Sequence, residues 1–219
     1  MLRVALTGGI ACGKSVVVRI LRGKGCYVHS ADKAAHDLMS PGAAAWKKIV
    51  ARFGEDIVGP DRAIDRGRLG RIVFSDPEAL KFLNRLIHPL VLAEMKRLAS
   101  RLEREGQTQI FISEAALTVE AGFASLFDKV VVVHCPAQVQ LARLMMRDGI
   151  SAAEARKKIG AQMPVEEKLK HADYAVDASG SLQETIDQTE RLYAALVRDS
   201  ELKMLAKKRL SGTKRIKRG

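Results

Sequence analysis

The chain has 219 residues, 47% of them hydrophobic and 28% charged, which is enough to bury one sizeable core with a lid or insertion but not two independent domains. No window approaches the roughly 18 unbroken apolar residues of a spanning helix, and the N-terminus has no signal-peptide pattern, so a spanning helix is not expected and a cytoplasmic location is. The net charge of +12 suggests nucleic acid until its position is considered: eight Lys or Arg lie from Lys203 onward with no acid among them, leaving +4 for the first 202 residues.

Leu2 to Thr7 is an apolar run ending at a glycine pair, the pattern of a buried parallel strand entering a loop. A helix is predicted over 14–21, closed by Gly23 and Gly25, then a second strand over 26–29. The next helix covers 31–39 and stops at the Ser40-Pro41-Gly42 turn. From 43 to 105 the period is almost entirely helical, with Asp76 as N-cap and Pro77 at the first helical position. Pro89 is expected to kink or divide that run, because it lacks the amide the helix would use. Further buried strands are predicted at 109–113, 129–134 and 174–176. Between the last two, Gly149 ends one helix and Ser151 with Glu154 forms a capping box for the next, while Ser181 with Glu184 opens the final helix. Residues 203–219 have little to pack and are expected to form a disordered basic tail, the one place where a nucleic-acid contact is plausible.

Strands alternating with helices imply an α/β fold: a parallel five-stranded sheet flanked by helices. The expected layout is one domain over 1–202, its core at 1–42 and 107–202, a helical insertion at 43–106 and a lid at about 143–171. Cys12, Cys26 and Cys135 have neither metal-ligand spacing nor a disulfide framework, and Cys12 reads as a small filler ahead of the alternative, redox sensing.

The segment Gly8-Gly9-Ile10-Ala11-Cys12-Gly13-Lys14-Ser15 matches GxxxxGK[ST] and lies after a predicted strand at the opening of a predicted helix. Glycines let such a loop turn its backbone amides around an anion, to which the helix N-terminus adds partial positive charge. Lys14 would reach the β- and γ-phosphates of a nucleotide, and the Ser15 hydroxyl would ligate Mg²⁺. There is no AsnLysXaaAsp base-recognition element and no transport-ATPase signature, so a small-molecule kinase with an acceptor-binding insertion suits the chain best. Asp32 follows the second strand at the carboxyl edge of the sheet, where it could take a proton from an acceptor hydroxyl or simply cap its helix. Arg143 and Arg147 share one helical face and offer planar donors to phosphate oxygens.

The sequence resembles the dephospho-CoA kinase family over nearly its whole length. LeuThrGlyGlyIleAlaCysGlyLysSer parallels the family's LTGGIGSGKS, and 28–36 sits where the family has VIDADxIAR. Pro41-Gly42, Phe53-Gly54, Asp65-Arg66, Ile87-His88-Pro89, Arg143, Arg147-Asp148-Gly149, Ala161-Gln162 and Ala172-Asp173 continue the match in order. The resemblance implies a P-loop kinase that phosphorylates the ribose 3′-hydroxyl of dephospho-CoA with ATP and Mg²⁺, in the last step of coenzyme A synthesis. It implies that Gly9 and Ala11, Cys12, Gly13, Lys14, Ser15 and Val16 hold ATP with Arg143 and Arg147. It makes Asp32 the catalytic base, with Lys14 and Arg143 also catalytic and Asp32, Arg66 and His88 on the acceptor side. Ser30 replaces the first acid of the family's DAD, His36 replaces its following Arg, and Ala116 to Glu120 stands where the family has ProLeuLeuPhe/ValGlu. The alternatives are another small-molecule kinase, such as a nucleoside monophosphate kinase, and a nucleotide-dependent RNA-binding protein using the basic tail.

Overall fold

A computed structural model describes residues 1–216 of the chain. In chain order it contains β1 (Leu2–Gly8), α1 (Lys14–Gly23), β2 (Tyr27–Ser30), α2 (Ala31–Leu38), α3 (Trp46–Phe53), α4 (Arg66–Ser75) and α5 (Pro77–Glu105). There follow β3 (Ile110–Glu114), β4 (Lys129–His134), α6 (Ala137–Asp148), α7 (Ala152–Gly160), α8 (Val165–Leu169), β5 (Tyr174–Asp177) and α9 (Leu182–Ile216). The strands form one sheet of order β2-β3-β1-β4-β5, in which β1 pairs in parallel with β3 and β4, and β4 with β5. Among the described residues no helix is long and apolar enough to cross a membrane.

The chain divides into two compact units, residues 1–29 with those from Leu102 onward, and residues 30–101. The first boundary falls between His29 and Ser30, at the end of β2, so α2 lies in the second unit. In the first unit, Val4 and Leu6 of β1, Ile110 and Ile112 of β3 and Val131 and Val133 of β4 pack with Val17 and Leu21 of α1 and Leu192 and Leu196 of α9. Val17 and Leu21 are one helical turn apart and fully buried, each worth about 2 kcal/mol of apolar burial. The strands carry near-continuous apolar runs because both faces of a parallel sheet are covered.

The connection out of β1 leads to one side of the sheet and that out of β4 to the other. The strand order therefore reverses between the carboxyl ends of β1 and β4, which is where open α/β sheets bind ligands. The loop joining β1 to α1 leaves the sheet at that point.

The second unit packs α2 to α5 around Trp46, Ile49, Val50, Ile57, Ile64, Leu69, Val73 and Ile87. It is less uniformly helical than its periodicity predicts. Gly54 ends α3 at φ 86°, and residues 55–64 make a 3-10 turn and an antiparallel bridge from Val58 to Ile64. Trp46 pins this loop by donating its indole N–H to the Arg62 carbonyl at 2.9 Å, beneath the Arg62 guanidinium. Asp65 then caps α4, its Oδ1 accepting from Gly67 N and Arg68 N. Asp76 accepts from Glu78 N at the start of α5, as its sequence position predicts.

Two expectations are corrected. Pro89 does not divide the long helix, since α5 runs through it from Pro77 to Glu105. Pro89 and Arg85 are both exposed, so water can take the Arg85 carbonyl that loses its helical donor. The basic segment is not disordered from Lys203: α9 continues to Ile216, with Lys203 paired to Asp128 and Lys207 to Glu103. Those acids lie on the first unit and supply partners that the segment lacks by itself; its last three residues lie outside the described residues.

Candidate active site

The loop between β1 and α1 carries two non-extended positive-φ residues, Ala11 at 58° and Gly13 at 87°. Gly13 is the N-cap of α1 and no side chain caps the helix there. Gly13 has no side chain to cap the first turn of α1, where Val16 N donates to the Gly13 carbonyl at 3.0 Å, and the helix dipole concentrates positive potential at this end. An oxyanion is the ligand that this arrangement suits. Gly8 is required by close approach, because a Cβ on it would sit 2.1 Å from the Val133 carbonyl oxygen on β4. Gly9 lies close to side chains instead, the Gln140 amide and Cys12 Sγ.

Lys14 Nζ donates back to the Gly8 carbonyl at 3.1 Å and to that of Gly9 at 3.4 Å. Two glutamines fix the crown of the loop: Gln140 of α6 donates to the Ile10 carbonyl at 2.9 Å, and Gln162 accepts from Ile10 N at 2.8 Å. Sequence reasoning singled out neither role, because a Gln at long separation carries no spacing signal. Arg143, on α6 one turn after Gln140, donates from Nη1 to the Ala178 carbonyl at 2.7 Å, and Ala178 borders Gly13. Arg147 does not join it: its guanidinium is bound to Asp148, which also takes Lys158 of α7. These two cations hold the Asp148 carboxyl down to about 2.

The Cys135 thiol, just beyond β4, donates to Cys12 Sγ at 3.3 Å, and both residues are buried. That hydrogen bond, helped by Lys14 and Arg143, holds the Cys12 thiol down to about 7, while the same interaction pushes Cys135 up. Ser15 is exposed in the first turn of α1. Among the described residues no group of three or more His, Cys, Asp or Glu could cage a metal. A lone hydroxyl fits Mg²⁺, which keeps several waters and takes substrate phosphate oxygens in place of a protein cage.

In the helical unit, Asp32 lies in the first turn of α2 and is exposed. It does not cap that helix, because Ser30 is the N-cap and its Oγ accepts from Lys33 N at 3.3 Å. Arg66 is exposed at the first position of α4. His88 is half-buried in α5, and burial lowers its pKa.

A family model described as Dephospho-CoA kinase matches residues 2–184. The chain belongs to the dephospho-CoA kinase family. It is 38% identical over 202 residues to the dephospho-CoA kinase of Syntrophus aciditrophicus, covering 92% of this chain and 86% of that one. Among solved structures, the dephospho-CoA kinase from Campylobacter jejuni is similar with a TM-score of 0.67 and 31% identity, over 90% of this chain and 98% of that one. TT1252 from Thermus thermophilus reaches a TM-score of 0.76 at 32% identity, over 89% and 96%. The P-loop kinase fold expected from the sequence is the fold of the family.

Within that family, the departures noted in this sequence acquire structural roles. Ser30, at an acidic position of the family pattern, supplies the helix cap. The carbonyl of Ala116, at the position of the family's proline, accepts from both Thr7 Oγ1 at 3.1 Å and Lys168 Nζ at 2.9 Å. Glu120 is kept, and it binds Lys168 at 2.7 Å and accepts from Met163 N.

Proposed function

We propose that this protein transfers the γ-phosphoryl group of ATP to the ribose 3′-hydroxyl of dephospho-CoA, giving ADP and coenzyme A. The observation that carries the reading is an uncapped helix N-terminus behind a GxxxxGK[ST] loop in a chain of the dephospho-CoA kinase family. A nucleoside monophosphate kinase or a nucleotide-dependent RNA-binding protein has no such support.

In this reading Gly9 and the residues from Ala11 to Val16 hold the triphosphate through backbone amides. Lys14 releases the Gly8 and Gly9 carbonyls and turns to the β- and γ-phosphates, where its charge opposes the negative charge on the transferring group. Arg143 approaches from the lid side of the loop, and Arg147 must exchange Asp148 for a phosphate oxygen to assist. Ser15 would hold Mg²⁺, which when bound neutralises charge on the β- and γ-phosphate oxygens. Asp32 accepts the proton of the 3′-hydroxyl as its oxygen bonds to phosphorus and the bond to the ADP oxygen breaks. An Asp without a capping bond in its helix is available for that task. Arg66 and His88 contribute to acceptor binding, and the enzyme works in the cytoplasm.

The test is product identity after incubating the purified protein with MgATP and, separately, dephospho-CoA, adenosine, AMP or CMP. Coenzyme A from dephospho-CoA with little turnover of the others supports the proposal. Preferential phosphorylation of AMP or CMP makes the protein a nucleoside monophosphate kinase, and salt-sensitive RNA binding without turnover of any acceptor makes it an RNA-binding protein.

A further inference from the structure

The loop after β1 and the residue after β4 meet at the crevice where the strand order reverses, and each brings a cysteine. Cys12 Sγ and Cys135 Sγ are 3.3 Å apart, 1% and 2% exposed respectively. Closing this contact to a bond of ~2.05 Å requires a movement of little more than an ångström. Cys26, the third cysteine, is buried elsewhere in the core, where burial pushes its thiol up to about 11.

We propose that Cys12 and Cys135 form a peroxide-sensitive dithiol whose closure to a disulfide disables the phosphate loop. The chemistry needs one two-electron oxidant, a hydroperoxide, small enough to reach sulfurs that larger disulfides cannot. The Cys12 thiolate attacks a peroxide oxygen, the O–O bond breaks, and hydroxide leaves and takes a proton, giving a sulfenic acid and water. Cys135 sulfur then attacks Cys12 sulfur. The S–O bond breaks, the hydroxyl leaves with the Cys135 proton as a second water, and the S–S bond forms. Two thiols lose two electrons and one peroxide gains them.

The local environment favours Cys12 as the attacking sulfur. Lys14 and Arg143 both stabilise its thiolate, and the Cys135 thiol points its proton at it. The consequence for the loop follows from position. Cys12 lies between Ala11 and Gly13, whose positive φ angles aim the loop amides, and its own N–H donates to the Gly9 carbonyl at 3.2 Å. A bond from Cys12 to the end of β4 holds that stretch to the sheet and turns those amides away from the phosphates. This functional consequence rests on the proposed ATP-binding role of the loop; the cross-link itself does not.

The experiment treats the reduced full-length protein with hydrogen peroxide, blocks remaining thiols with an alkylating agent, and maps cysteines by mass spectrometry beside an assay with MgATP and dephospho-CoA. The expected result is a Cys12–Cys135 peptide cross-link with Cys26 alkylated after unfolding. Activity falls at least fivefold and returns on adding dithiothreitol. The Cys135→Ser variant keeps its basal activity, forms no cross-link, and leaves Cys12 as a sulfenic acid trapped by dimedone. Wild-type mapping alone decides the chemistry should that variant fold poorly. Peroxide treatment that leaves all three thiols alkylatable, or that joins Cys26 to either partner instead, overturns the pair. A cross-link that forms without loss of activity overturns the switch. A protein that forms the cross-link yet phosphorylates nothing when reduced fails the proposed function and still bears out the disulfide.

Discussion

Lys168 Nζ lies 2.7 Å from Glu120 Oε1, and none of the Lys168 side chain is exposed. The pair joins α8 to the segment after β3, and Lys168 also donates to the Ala116 carbonyl. A charge in that position is held by its partners alone, since no water reaches it. Lys168→Met should therefore cost about 3 kcal/mol, the low end of the range for breaking a buried pair, because Glu120 keeps some solvent contact. Replacing both residues, as Lys168→Met with Glu120→Leu, should cost less than the sum of the single changes. Urea unfolding of the three variants measures this, and a Lys168→Met variant as stable as the parent would show that the pair does not form in solution.

Asp32→Asn should leave thermal stability unchanged, because Ser30 and not Asp32 caps α2. As the proposed base it should lower kcat with dephospho-CoA by about a hundredfold. ATP affinity should hold, since Lys14 and the loop amides are untouched. Steady-state kinetics beside ATP titration separate the two quantities, and an unchanged kcat would remove Asp32 from the mechanism.

Lys14→Ala should lower kcat by at least about a hundredfold while leaving the fold intact, because the side-chain bonds to the Gly8 and Gly9 carbonyls are made within the loop itself. Circular dichroism and turnover of the same preparation provide the check. A folded variant with full turnover would refute the site.

Deleting residues 203–219 should leave kcat within about twofold of the parent and lower Tm by about 3 °C. The loss comes from the Lys203–Asp128 and Lys207–Glu103 pairs, both partly exposed and together worth about 1 kcal/mol. Asp128 keeps the Arg3 amide as a partner, which limits the damage. A large fall in kcat in the folded truncation would make the basic helix part of the active unit.

The five strands, the loop that opens α1 and the family were all legible in the chain, because each depends on signals local in sequence. A buried parallel strand must be apolar throughout, a phosphate loop must have its glycines at fixed offsets, and a capping box such as Ser151 with Glu154 spans one turn. Ambiguity began where two local rules competed for one residue. Asp32 suits a helix cap and a base equally well in sequence, and only the bond from Lys33 N to Ser30 Oγ assigns the cap. Pro89 reads as a helix break until its exposed face is seen, since the cost of a missing amide depends on whether water can reach the orphaned carbonyl. The glutamines on Ile10, the Lys168–Glu120 pair and the contact between Cys12 and Cys135 join residues 48 to 152 positions apart. Such pairings carry no period and no spacing. They exist because a parallel sheet brings the ends of distant strands to one edge, and only the folded chain decides which side chains meet there.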